Sequence, residues 1–232
     1  MLPNWVRGGS TTPRSSKSPK SPTKQRVKDY IEQICMSEEN VYDMAVTQEF
    51  VNFINENGGN VPAEVAHQLI KRVTPTRYQH SLRASKILDV LVQKCGYPMH
   101  YQVATVPFLR AMTDFDFYQG QIVKNSVLNY NMFLLHMWYN TWADNPRVRD
   151  DFVNVKSFHD AVQARGIRFP PEDPATVAKL NAMYNVQTPQ EEAKLERLIK
   201  KVKFNSFLSK GDKHDMHLAQ KLIEELLAER DA

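Results

Sequence analysis

Seven histidines, two cysteines and two close aspartates are the residues through which this 232-residue chain could most readily do chemistry. His67, His80, His100, His136, His159, His214 and His217 are scattered, and only His214 and His217 share an i, i+3 spacing. No cysteine or third histidine stands near that pair to complete a metal set, so a solvated helix face accounts for it. Asp114 and Asp116 in TDFDFYQG flank Phe115, a pattern better suited to helix-end capping than to paired acid–base carboxylates. Cys95 precedes Gly96 at a helix end, without a positioned His or helix N-terminus to lower its pKa, and reads as packing. Glycine-rich phosphate loops, HExxH, GxSxG and EF-hand patterns do not occur in the sequence. The expectation is a chain that is not an enzyme and holds neither metal nor cofactor.

The charge has to be divided along the chain before it means anything. Residues 1–28 contain Arg7, Arg14, Lys17, Lys20, Lys24, Arg26 and Lys28 and no acid, so a formal net charge of +4 leaves the remainder mildly acidic. No basic, aromatic-interleaved helix stripe marks a nucleic-acid surface, and no nucleic-acid partner is expected. Nor is there a run of ~20 apolar residues able to cross a bilayer. Cys35 and Cys95 lie too far apart in the sequence to suggest a disulfide scaffold, and MLPNWVRGGS lacks a secretory apolar core. A cytosolic protein is expected.

The elements that must position any site are helical. After Gly8 and Gly9, glycines occur at 58, 59, 96, 120, 166 and 211, each ending or separating a stretch of helical periodicity. Pro62, Pro146 and Pro189 stand where first-turn prolines belong. Val27, Tyr30, Ile31 and Ile34 share one helical face; Met44, Phe50, Phe53 and Ile54 are read as the next, and Val65, Leu69, Ile70 and Val73 as a third. Leu82, Ile87, Leu88, Val90, Leu91 and Val92 make a helix apolar nearly all round, hence a central one. Pro107 predicts a short helix, a break and a new helix with Pro107 in its first turn. A long aromatic run then leads to a face built on Phe152, Val155, Phe158 and Val162. Eight helical segments in roughly 140 residues, without strand-like alternation, predict an all-α domain whose helices pack in series.

The chain divides into four regions. Residues 1–24, a mixture of Ser, Thr, Pro and Lys with Ser18-Pro19 and Ser21-Pro22, are expected to be a disordered basic arm. It reads either as a solubilising tail or as a regulated arm that touches anionic lipid head groups, phosphoinositides among them, or receives phosphate from proline-directed kinases. Residues 25–170 are the helical domain. Residues 171–188, with Pro171 and Pro174, read as a linker in which one short amphipathic turn docks back through Leu180 and Met183. Residues 189–232 form two helical runs around Gly211, which cannot bury their apolar faces alone.

The stretch KILDVLVQKCGYPMHYQVATVPFLRAMTDF resembles the middle of a VHS domain, through Leu88, Asp89, Leu91, Val92, Cys95, Gly96, His100, Phe108 and Leu109. FINENGGNVPAEVAHQLIKRV resembles that family's second and third helices, and the segment from Met137 to Gly166-x-x-Phe169-Pro170 its closing ones. The resemblance covers about residues 25–170 and implies a right-handed superhelix of about eight helices, of the VHS/ENTH type. FLSKGDKHDMHLAQKLIEELL is similar to the N-terminal hook of the GAT domain in the Golgi-localised, gamma-ear-containing, ARF-binding (GGA) clathrin adaptors. That resemblance implies a hairpin-like hook in which Phe207, Leu208, Met216, Ala219, Gln220, Leu222 and Ile223 meet a GTP-loaded ARF-family small GTPase. Gln220 stands where the family has asparagine, and the chain stops at Ala232, before a complete GAT bundle, hinge and ear.

In animal members of that adaptor family a groove between the sixth and eighth helices takes acidic-dileucine sorting signals of membrane cargo. The resemblance places His100, Val106, Arg110, Asn154 and Phe158 on its walls, with Tyr97-Pro98 in place of a basic pair and Asn154 in place of a lysine. Weak acidic-dileucine binding is the consequence expected. In ubiquitin-sorting VHS proteins a tryptophan on the second helix contacts ubiquitin, and Met44 aligns there. The implied function is a non-enzymatic sorting adaptor, cytoplasmic and peripheral on trans-Golgi or endosomal membrane. A ubiquitin-dependent endosomal adaptor and an endocytic, actin-linked scaffold are the alternatives.

Overall fold

A computed structural model describes residues 21–36, 43–73, 78–113 and 126–210, and every regular element among them is helical. The first helix, α1 (Pro22–Met36), starts inside the expected arm. Ser21 is its cap: the Lys24 amide donates to Ser21 Oγ at 3.3 Å and the Gln25 amide to the Ser21 carbonyl at 3.2 Å, with Pro22 occupying the position where an amide is not needed. Val27, Ile31, Ile34 and Cys35 form its buried face.

Helix α2 (Met44–Asn57) is capped by Asp43, whose Oδ1 accepts from the Ala45 and Val46 amides at 2.9 and 3.0 Å. Phe50, Phe53 and Ile54 are buried as expected, but Met44 is 62% exposed. Six residues before Phe50, it lies about 120° round the helix from that face. Helix α3 (Val61–Ile70) has Pro62 in its first turn. Helix α4 (Tyr78–Cys95) packs against α1, α2 and the later helices α5 (Tyr97–Val103), α7 (Ser126–Trp142) and α9 (Pro174–Ala182), so it is the central helix its composition predicts. Gly96, at φ 61°, makes the turn between α4 and α5 in a conformation that a side chain would strain.

Pro107 falls in the first turn of α6 (Val106–Met112) after a break at 104–105, as expected. A buried polar cluster ties these helices together: Ser85 Oγ donates to Asn131 Oδ1 at 2.6 Å, while Asn131 Nδ2 reaches the Val73 and Met112 carbonyls at 3.3 and 3.2 Å. With its partners present such a cluster fixes one register among α4, α7 and the ends of α3 and α6. Pro146 opens no helix. It starts a series of turns whose Val148 and Phe152 enter the core before α8 (Val153–Ala164).

Among the described residues, the eight helices α1–α8 form the expected superhelix, in which α1 packs on α3, α3 on α5, α4 on α7, and α6 and α7 on α8. The segment read as a linker docks through Leu180 and Met183, as expected, and does so as a full helix. Asp173 caps α9 through the Ala175 amide at 3.2 Å, and Leu180 and Tyr184 are buried. Helix α10 (Pro189–Lys210) begins at a capping box: the Glu191 amide donates to Thr188 Oγ1 at 3.2 Å, and Glu191 Oε2 accepts from the Thr188 amide at 3.1 Å. It lies on α5 with Val202 buried. The two-run segment expected to lack a core therefore has one for its first helix, lent by the superhelix.

Candidate functional site

Helices α6 and α8 lie side by side and present a strip of mixed character. Val106 is 39% and Val153 55% exposed, Arg110 is exposed, and Phe158 is half-buried with its inner side on the core. Asn154 Nδ2 donates to the Ala104 carbonyl at 3.1 Å, which closes the floor between α5 and α8. Lys156, one turn along α8, is held by Asp160 at 3.1 Å and lies 5.6 Å above the Tyr139 ring. The bond to Asp160 raises its pKa, so it stays cationic. Apolar rim residues beside Arg110 suit an extended peptide with aliphatic side chains and an acidic group.

Four of the five expected wall residues, Val106, Arg110, Asn154 and Phe158, are brought together here. His100 is not. It is fully buried, with Nε2 2.7 Å from the Val92 carbonyl and Nδ1 facing the Tyr184 hydroxyl, and its ring packs 4.8 Å from that of Trp142. Donation from Nε2 to the carbonyl leaves Nδ1 to accept from the hydroxyl. Burial holds the imidazole down at about 4, so it is neutral near pH 7. A histidine on the fifth helix, which aligned with a ligand wall, is instead a core hydrogen-bonding residue.

Tyr97 departs from expectation in the same way. Its ring is buried against Phe152 at 5.7 Å, and its hydroxyl donates to Asp151 Oδ2 at 2.9 Å. Burial first, then the Asp151 carboxylate, drives its pKa upward. Pro98 faces α10, close to Val202. Tyr97 is therefore held in the core, and Pro98 lies towards α10.

At the other end of α8, Phe169 explains the Gly166-x-x-Phe169 pattern. Gly166, at φ 75°, turns the chain back, and Phe169 stacks on His159 at 4.1 Å and on His136 at 5.0 Å. Tyr139 covers the other face of His159 at 3.8 Å. His136 Nδ1 lies 3.1 Å from His159 Nε2, a separation that fits a single shared proton. Burial lowers the pKa of both imidazoles.

Among the described residues no group of three or more His, Cys, Asp or Glu is placed to hold a metal ion. Both cysteines are buried free thiols, Cys35 pushed up by burial to about 11 and Cys95 to about 12, which leaves them protonated and unreactive. A cavity of about 350 Å³ between the start of α1 and the α2–α3 turn is lined by Ser21, Lys24, Asn60 and Glu64. Lys24 and Glu64 stand 3.6 Å apart in it as a structural ion pair. No described helix is long and apolar enough to cross a membrane.

Met44 stands exposed at the first turn of α2, free of the core. Phe207 and Leu208 fall in the last turn of α10, but their side chains lie outside the described residues. Met216, Ala219, Gln220, Leu222 and Ile223 lie outside them entirely, as do Asp114, Asp116, His214 and His217. The residues that sequence reasoning missed are Arg147, Asp151, Tyr184 and Lys203, which join the superhelix to α9 and α10. Leu180 and Tyr184, four apart and both buried, carried the one signal that could have found them.

The profile of the VHS domain matches residues 21–166, and the chain belongs to the VHS-domain family. It is similar to a probable ADP-ribosylation factor-binding protein of Schizosaccharomyces pombe, at 29% identity over 78% of this chain and 36% of that protein. It is also similar to the ADP-ribosylation factor-binding proteins GGA2 and GGA1 of Saccharomyces cerevisiae, each at 24% identity, over 78% and 87% of this chain and 31% and 36% of theirs. The chain spans about a third of the length of these relatives. Its fold is similar to that of the crystal structure of the VHS and FYVE tandem domains of Hrs, a protein involved in membrane trafficking and signal transduction. The TM-score is 0.54 at 17% identity, over 64% of this chain and 65% of that one.

Proposed function

We propose that the chain is a non-enzymatic cargo-sorting adaptor of vesicular trafficking, peripheral on the cytoplasmic face of trans-Golgi or endosomal membrane. A GTP-loaded ARF-class GTPase recruits it through the hook of residues 189–232, and the α6–α8 groove takes sorting signals in cargo tails. The observation that carries this reading is the run of relatives named ADP-ribosylation factor-binding proteins, matched over 78% or more of the chain. The exposed Val106, Val153 and Arg110 support the cargo role, because a peptide there can bury leucine side chains beside a cation. A pulldown of the 232-residue chain on beads carrying GTP-locked or GDP-locked ARF tests it: retention on the GTP-locked form alone is expected, and equal retention on both overturns it.

One observation favours ubiquitin as an additional ligand. Met44 is an exposed, flexible thioether on a helix start, the kind of side chain that adapts to a shallow apolar partner. Loss of weak ubiquitin binding in Met44→Asp is the expected result.

A further inference from the structure

We infer that residues 174–206 are a strut that locks the hook to the superhelix, so that the GTPase-binding end of α10 and the α6–α8 groove move as one rigid body. The inference rests on the proposed role of the hook in GTPase binding. A flexible linker between the superhelix and α10 would leave the two sites free to reorient. The structure replaces it with three separate anchors.

The first anchor is α9, whose Leu180 is buried and whose Lys179 Nζ donates to Gln93 Oε1 on α4 at 3.1 Å. The second lies at the turn between α9 and α10. Tyr184 is 1% exposed, its hydroxyl donates to His100, and its carbonyl accepts from Arg147 Nη1 at 3.0 Å. Arg147 Nη2 in turn pairs with Glu192, in the first turn of α10, at 3.3 Å. The third is the docking of α10 on α5, where Val202 is buried, Leu195 and Ile199 pack beside it, and Lys203 pairs with Asp151 at 2.5 Å.

One anchor would permit a hinge, but anchors at Glu192 and Lys203 pin α10 at two points about 16 Å apart along its axis. A continuous helix has no joint between Lys203 and its end at Lys210, so the backbone of Phe207 and Leu208 lies about 6–8 Å beyond the last anchor. The groove shares the same framework. Asp151, which receives Lys203 and Tyr97, stands just before α8, and Asn154 of the groove binds the Ala104 carbonyl at the end of α5. A GTPase that holds the hook at a membrane then holds the groove at one height and one tilt. Cargo tails of suitable reach meet it at a high effective concentration, and others are excluded.

Distance measurement between spin labels on the full 232-residue chain decides the matter. Ser157→Cys on α8 and Lys201→Cys on α10 are at exposed positions, whereas Cys35 and Cys95 are buried and resist labelling. One narrow distance distribution is expected, unchanged when GTP-locked ARF is added. Tyr184→Ala combined with Val202→Asp should broaden it while the helix content of the chain is retained. A broad distribution in the chain without those two changes overturns the strut, whether or not ARF is retained. A narrow distribution that survives both changes overturns it as well, because these anchors then do not set the geometry. A narrow distribution in a chain that ARF beads fail to retain overturns the hook reading alone.

Discussion

The Tyr184 hydroxyl donates to Nδ1 of His100, a fully buried imidazole 84 residues earlier in the chain. The profile match ends at residue 166, yet the core of the superhelix is closed by a side chain beyond it. The folding unit thus extends past the domain as its family pattern delimits it.

Tyr184→Phe keeps the ring and removes the donor, leaving His100 Nδ1 buried without a partner. The expected cost is about 1–3 kcal/mol. Tyr184→Ala also opens a cavity among His100, Trp142 and Phe152, for about 3–5 kcal/mol. Urea titration of both variants checks this: unchanged midpoints would mean that the segment after Ala164 adds nothing to stability.

Acid should loosen the fold in a defined window. His100, His136 and His159 all have lowered pKa values, His100 to about 4 against an ordinary value of 6.5. The unfolded chain therefore binds more protons between those limits. The stability present above pH 6.5 falls as pH drops towards 4, by about 3 kcal/mol for His100 alone. Melting temperatures between pH 7.5 and 5 should decline, and more shallowly in His100→Asn. Parallel slopes for the two proteins would remove His100 from the effect.

A cation at position 97 should not create an acidic-peptide site. Tyr97 packs on Phe152 and lies beneath Asp151 rather than on the groove, so Tyr97→Lys forfeits its ring contacts at about 2–3 kcal/mol. It should lower the melting temperature and leave acidic-dileucine affinity unchanged. Arg110→Glu should do the reverse, preserving the fold and weakening that peptide several-fold. Calorimetry on both variants checks this, and tightening by Tyr97→Lys would relocate the groove.

If residues 189–232 are the proposed GTPase-binding hook, Ile223→Asp should abolish retention on GTP-locked ARF while residues 21–206 melt as before. An unpaired carboxylate in an apolar contact costs several kcal/mol, more than a modest interface supplies. Retention equal to that of the unmodified chain would sink the recruitment mechanism.

The arm should bind anionic liposomes weakly and with strong salt dependence. Phosphate on Ser18 and Ser21 adds about −3 to −4 charges and should release it. Because Ser21 caps α1, phosphate there also favours the positive end of that helix, so the melting temperature should hold or rise slightly. Liposome binding that survives deletion of residues 1–20 would show that the lipid contact lies elsewhere.

The helices were legible because each carries its own local signals. The apolar faces of α1 and α3, the all-round apolarity of α4, the break at Pro107 and the turn at Gly96 require only period, caps and prolines, all of which act within a few residues. The placement of Val106, Arg110, Asn154 and Phe158 on two helices that touch was legible for a related reason, because their spacing along α6 and α8 is local. Side-chain burial at the ends of short helices was not. Nothing in Tyr97-Pro98-Met99-His100 tells which of these four faces solvent, since α5 has helices packed on several sides and its inner face depends on where α10 and Tyr184 arrive. The docking of Leu180 and Met183 was legible from their apolar character, whereas that of Tyr184 and α10 was hidden in the same way as the burial of α5. The prolines of this segment punctuate the chain as a linker does, and its ties, Arg147 to Glu192 and Asp151 to Lys203, join residues 45 and 52 positions apart. Local composition set which segments are helical, whereas pairings across such separations exist only once the superhelix has placed its turns beside one another.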